Sequence, residues 1–123
     1  MYTAIVLDEE SHQKLVRKFI HLIPKEWKIY AHHMTINLGP IEKGPVEKSL
    51  LNTEAMLTVT SIAGDNLVMA VGVETVIPSA NKIKHITLAV NLNAGGKPFL
   101  SNKLANWAYV DNFDLWGKIT EVS

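Results

Sequence analysis

Two histidines carry the chemistry this sequence offers. His33 and His85 each stand two residues before a threonine, in the segments Ala31-His32-His33-Met34-Thr35-Ile36-Asn37-Leu38 and Ile83-Lys84-His85-Ile86-Thr87-Leu88-Ala89-Val90. Both read His, apolar, Thr, apolar, any residue, apolar. Side chains alternate across a strand with a period of two. If each segment is a strand, His33 and Thr35 share one face and His85 and Thr87 share another, while Met34, Ile36, Ile86 and Leu88 point to a core. Two imidazoles brought together suit a phosphodiester. One takes a proton from the attacking oxygen, and the other gives a proton to the departing one. Histidine titrates near 6.5 and serves either role around neutrality. The threonine hydroxyls can donate to the non-bridging oxygens as charge builds there.

The other histidines weigh less. His32 alternates with His33 and belongs to the opposite side of the strand, packed or supporting rather than catalytic. A zinc site from His32, His33 and His85 is poor, because adjacent strand residues diverge and no acid or thiol stands at ligand spacing. His12 falls on the apolar stripe of the first helix and His21 opposite it, so both read as structural or surface residues. Tyr2, Trp27 and Tyr30 lie near the first motif and are candidates for stacking on an unpaired base, although packing is the plainer reading for each. Ser101 and Asn102 follow the turn Gly95-Gly96-Lys97-Pro98 and are candidates for ligand contact or for capping. Trp107 and Trp116 read as core. Lys84 should point away from the face that holds His85.

The chain is 123 residues long and 47% hydrophobic, enough for one domain with a real core. Twelve basic residues balance twelve acidic ones. A protein that grips long nucleic acid through many phosphates usually carries a basic excess, so a small nucleotide or short oligonucleotide is the expected partner. There are no cysteines, which removes disulfides, thiolate metal sites and a cysteine nucleophile. No cofactor and no metal are expected. No apolar run approaches the roughly 18 residues needed to span a bilayer, and the first residues lack the pattern of a signal peptide. A cytoplasmic protein is expected.

The elements that must position the histidines follow from punctuation and periodicity. Thr3–Leu7 reads as a strand, and Asp8 as the cap of a helix opened by Glu9 and Glu10. Leu15, Val16, Phe19, Ile20 and Ile23 continue that helix to Pro24. Residues 29–38 read as one strand ended by Gly39-Pro40. Pro45 is a possible helix start. Residues 55–62 and 67–73 form a hairpin about Gly64-Asp65-Asn66, and residues 83–92 form another strand. Leu100, Leu104, Trp107 and Ala108 have helical spacing after Pro98, and residues 115–122 close with a strand. Strands mixed with two helices give an α+β class with a largely antiparallel sheet.

Paired His-apolar-Thr-apolar motifs, one in each half of a small α+β chain, resemble the signature of the 2H phosphoesterase superfamily, also called LigT-like. The stretch from Gly95 to Asn102 resembles a subgroup of phage proteins and tRNA-repair phosphodiesterases. The resemblance implies one domain over residues 1–123, bilobal, with pseudo-twofold antiparallel lobes and helices outside. It places His33, Thr35, His85 and Thr87 in a groove between the lobes, as a metal-independent phosphodiesterase. It implies cleavage of a short or cyclic oligonucleotide, in a phage the immune-evasion chemistry called anti-CBASS. Hydrolysis of 2′,3′-cyclic phosphate at RNA ends is the alternative. A nucleotide-binding sponge without turnover and a structural module with accidental motifs remain the readings from other classes.

Overall fold

The computed structural model describes residues 1–123. Seven strands carry the fold: β1 (Tyr2–Leu7), β2 (Lys28–Ile29), β3 (His33–Leu38), β4 (Glu54–Gly64), β5 (Val68–Glu74), β6 (His85–Val90) and β7 (Ala108–Val122). A single α-helix, α1 (Glu9–Phe19), follows β1, and the remaining helical pieces are short 3-10 turns. Every strand pairing is antiparallel. The order β6-β3-β1-β7-β4-β5 returns to β6 through a second β5–β6 edge, so six strands close into a barrel. The short β2 extends the pairing along β6 beyond the end of β3.

Closure follows from alternation. Ile5, Met34, Ile36, Leu57, Val59, Val71, Ile86, Leu88, Leu115 and Ile119 are buried in one cluster inside the ring, each from a strand whose other face is more polar or more open. Asp8 caps α1, accepting from Ser11 N at 2.7 Å. Leu15 and Phe19 add to the same core. Phe19 also lies 6.0 Å from the Phe113 ring, and Lys14 Nζ donates to Asp114 O, which holds the helix against β7. A smaller cluster sits outside the barrel, where Leu104 covers Val68, Ala70 and Val90, with Tyr30, Leu100 and Trp107 packed against it.

Several expectations change. The resemblance implied two lobes, whereas all seven strands hydrogen-bond into one closed sheet. Each motif strand is paired on both sides, β3 by β1 and β6, and β6 by β3 and β5. The strand expected over residues 29–38 breaks at Tyr30–His32, where Ala31 takes a left-handed φ of 49°. The segment after Pro98 is a 3-10 turn (Pro98–Lys103), and Trp107 and Ala108 belong to no helix. Strand β7 begins at Ala108, well before Leu115, because Ala108, Tyr109 and Phe113 pair with β4 across a register shift. No α-helix starts at Pro45. No helix is long and apolar enough to cross a membrane.

Candidate functional site

The two motifs meet on the outer face of the barrel. Met34 pairs with Ile86, and one step along an antiparallel ladder sets Thr35 beside His85. On the other side of that pair the register jumps. Ile29 pairs with Ala89 and Met34 with Ile86, so the chain spends two more residues there than β6 does, and His32 and His33 form the bulge. Bulges of this kind re-aim side chains next to active sites. Three hydrogen bonds fasten it: Ala31 N donates to Thr87 O at 2.9 Å, Leu7 N to His32 O at 2.9 Å, and His12 Nδ1 to Ala31 O at 2.8 Å. A carbonyl only accepts, so His12 carries its proton on Nδ1. His12 is therefore a support of the motif, a role the helical stripe alone did not indicate.

Met34, Ile36, Ile86 and Leu88 are fully buried, while His33, Thr35 and Thr87 are half-buried and His85 is 8% exposed. His85 Nδ1 donates to Ile83 O at 2.8 Å, which leaves Nε2 as its reactive nitrogen. The Nδ1 atoms of His33 and His32 are 2.9 Å apart, with one proton between them. His32 is exposed and touches His33 edge-on, ring centroids 5.1 Å apart. On its other flank His33 meets the Tyr2 ring at 4.9 Å. Burial, then the His32 and His85 charges, push the His33 imidazole from its ordinary 6.5 down to about 4. At neutral pH it is the uncharged, proton-accepting form. Burial also raises the Tyr2 phenol.

Thr87 is tied to the 3-10 turn: its Oγ1 and Ser101 Oγ are 2.8 Å apart, and it donates to Pro98 O at 3.4 Å. Ser101 is 1% exposed, so it contacts Thr87 rather than presenting a free hydroxyl. Asn102 is exposed and donates to Phe99 O, within its own turn. On the β3 side, Ser79 Oγ donates to Thr35 O and Ala80 N to Ile36 O, so the β5–β6 loop forms the rim there. Trp27 packs against the main core and Tyr30 against the outer cluster. Of the three aromatic candidates, only Tyr2 touches a motif histidine. Trp116, expected in the core, is 46% exposed. Lys84 Nζ donates to Thr75 O, away from the histidines. No three histidine or carboxylate side chains converge into a metal-ligating group. A hollow of about 560 Å³ between Trp27, Asp65 and Asn91 is lined by none of the four motif residues, and the Asp65 carboxylate there is engaged by Leu67 N and Val68 N.

The lowered His33 value ties stability to pH. In the unfolded chain this ring titrates near 6.5, and in the folded chain near 4. Between those values the unfolded state binds the proton more tightly. The contribution is thus complete above about pH 6.5 and is lost as pH falls toward 4. Taken in full that displacement is worth about 3.4 kcal/mol; the ring is partly open to solvent, which leaves about 2 kcal/mol. Urea unfolding at pH 7.5 and pH 4.5 should therefore show wild type losing about 2 kcal/mol more than His33→Gln. Equal losses in the two proteins would place the pH dependence on other groups.

Residues 11–122 match the family model described as the fungal tRNA ligase phosphodiesterase domain, a domain of the 2H phosphoesterase type. No curated protein and no solved structure matches the chain.

Proposed function

Since the chain belongs to the fungal tRNA ligase phosphodiesterase domain family, we propose that it hydrolyses 2′,3′-cyclic phosphate at the ends of RNA, with His33 as base and His85 as acid. The observation that carries the proposal is the meeting of the two His-x-Thr strands at the Met34–Ile86 pair. The family match favours this RNA-end chemistry over the cyclic-oligonucleotide substrates of phage immune evasion, for which it offers no support.

The roles follow from the asymmetry of the two rings. His33 is held neutral by burial and by the charges of its histidine neighbours, so it is the partner able to take a proton from water. The water oxygen bonds to phosphorus, and the bond from phosphorus to one ribose oxygen breaks. His85, protonated on Nε2 and held through Nδ1 by Ile83 O, gives its proton to the departing oxygen. The product is a ribose carrying one terminal phosphate and one free hydroxyl. Each turnover leaves the proton on His33, and exchange with solvent resets the pair. Thr35 stands on the same face to donate to a non-bridging oxygen, and Thr87 joins it when its one proton swings away from Pro98 O, with Ser101 Oγ then donating to Thr87 Oγ1.

The test is turnover of a panel holding 2′,3′-cyclic mononucleotides, RNA ending in cyclic phosphate, 2′–5′ oligoadenylate and cyclic dinucleotides, with EDTA in excess. Opening of the terminal cyclic phosphate, with internal linkages intact, is the expected result. Cleavage confined to cyclic dinucleotides would overturn the substrate class. Binding without turnover anywhere on the panel would make the protein a nucleotide sponge.

A further inference from the structure

The motif face does not end at β3. Strand β1 lies beside it, with Val6 opposite His33 and Ala4 opposite Thr35. Beyond β1 comes β7, where Lys118 pairs with Val6 and Thr120 with Ala4. Beyond β7 comes β4, where Glu54 pairs with Lys118. Ile5, Leu115 and Ile119 point into the core, so Val6, Trp116, Lys118 and Thr120 share the outer face with the histidines by alternation. A row of side chains therefore runs from His33 through Val6 to Lys118 and Glu54. Strands lie about 4.8 Å apart, which puts the β7 backbone about 10 Å from that of His33. A hollow of about 260 Å³ opens at this place, and Val6, Glu54, Trp116, Lys118 and Thr120 line it.

Its lining offers an aromatic ring, one cation and two carboxylates, of which Asp8 is engaged as the cap of α1. Trp116 is 46% exposed on a strand paired on both sides. Tyr2 is already against His33, and Trp27 and Tyr30 are packed on the hydrophobic clusters. Lys118 is an exposed cation. Glu54 supplies an acceptor for the N–H groups of a base edge. We propose that this hollow is a nucleotide subsite, in which Trp116 stacks on the base joined to the reacting nucleotide and Lys118 meets the phosphate between them. The subsite rests on the reading that the two histidines act on an RNA end, and it adds that the preferred substrate carries at least two nucleotides.

The experiment compares a 2′,3′-cyclic mononucleotide with a dinucleotide ending in the same cyclic phosphate, in wild type, Trp116→Ala, Trp116→Phe and Lys118→Gln. Wild type is expected to favour the dinucleotide by about tenfold in kcat/KM, through KM, the order of magnitude of one base–aromatic stack. Trp116→Ala should bring that ratio toward one, and Trp116→Phe should restore most of it. Lys118→Gln should flatten the salt dependence of the dinucleotide KM by about one phosphate contact. A ratio near one in wild type, or a ratio unmoved by Trp116→Ala, overturns the subsite. If wild type opens neither substrate, the RNA-end reading fails on its own, and calorimetry with a dinucleoside bearing a 3′-phosphate decides the subsite. Binding weakened by Trp116→Ala upholds it, and binding indifferent to Trp116 overturns it.

Discussion

Replacing His33 or His85 by alanine is expected to lower kcat/KM for a 2′,3′-cyclic phosphate by about 10³-fold, the scale of a lost general acid or base. The two rings act on one proton economy, so the double variant should be little slower than the worse of the singles. The His33 ring is neutral down to about pH 4 in the folded chain. The acid limb of kcat/KM set by this base should then lie far below 6.5, the value of a free imidazole. Steady-state rates of both single variants and the double variant, with a pH profile of wild type, check all three points. A loss of less than tenfold in either single variant would remove that histidine from the mechanism.

Gly117→Ala should destabilise the fold by about 3 kcal/mol, the upper part of the range for forced overpacking. A Cβ at this position would stand 2.5 Å from Val6 O and 2.9 Å from Ile5 Cγ2. The nearest atom is backbone, so no rotamer change can clear it. Relief requires β1 to move away from β7, which costs ladder pairing at Leu7–Gly117 and Val6–Lys118. For a domain of this size the midpoint of thermal unfolding should fall by about 10 °C. Because Val6 also pairs with His33, residual turnover should fall further than the folded fraction does. Thermal melts with rates per folded molecule make the check. An unchanged melt would mean that the two strands are not held this close.

Much of the site was legible because it depends on local alternation. The period of two across Met34 and Ile36 set His33 and Thr35 on one face of their strand, and that across Ile86 and Leu88 set His85 and Thr87 on one face of theirs, without any knowledge of the fold. The cap at Asp8 and the hairpin at Gly64-Asp65-Asn66 are local too, and both stand. What stayed hidden depends on distant pairing. Closure of the barrel rests on Gly72 meeting His85 and Ala70 meeting Thr87, and neither strand announces its partner. The support from His12 needed the helix to lie beside Ala31. Trp116 was assigned to the core by its residue type, although Leu115, Gly117 and Ile119 around it already placed it on the outer face. The helical spacing of Leu100, Leu104 and Trp107 arises instead from a 3-10 turn and an extended segment packing on the same outer cluster.

Ala31 has a consequence for how this protein can change. Alanine in the left-handed region carries a backbone penalty that glycine escapes. Glycine in turn loses more freedom on folding. The backbone penalty is about 1–2 kcal/mol, the freedom that alanine saves is about 0.4–1 kcal/mol, and burial of the Ala31 methyl in the main core adds about 0.8 kcal/mol, so selection for stability alone is nearly blind at position 31 and the residue can drift between alanine and glycine. Placement of His33 is where they differ: glycine would widen the arc over which the bulge wanders, and alanine narrows it. Position 31 is therefore a site at which an evolving lineage can exchange precision of the His33 ring for tolerance of varied ligands while its melting temperature hardly registers the change.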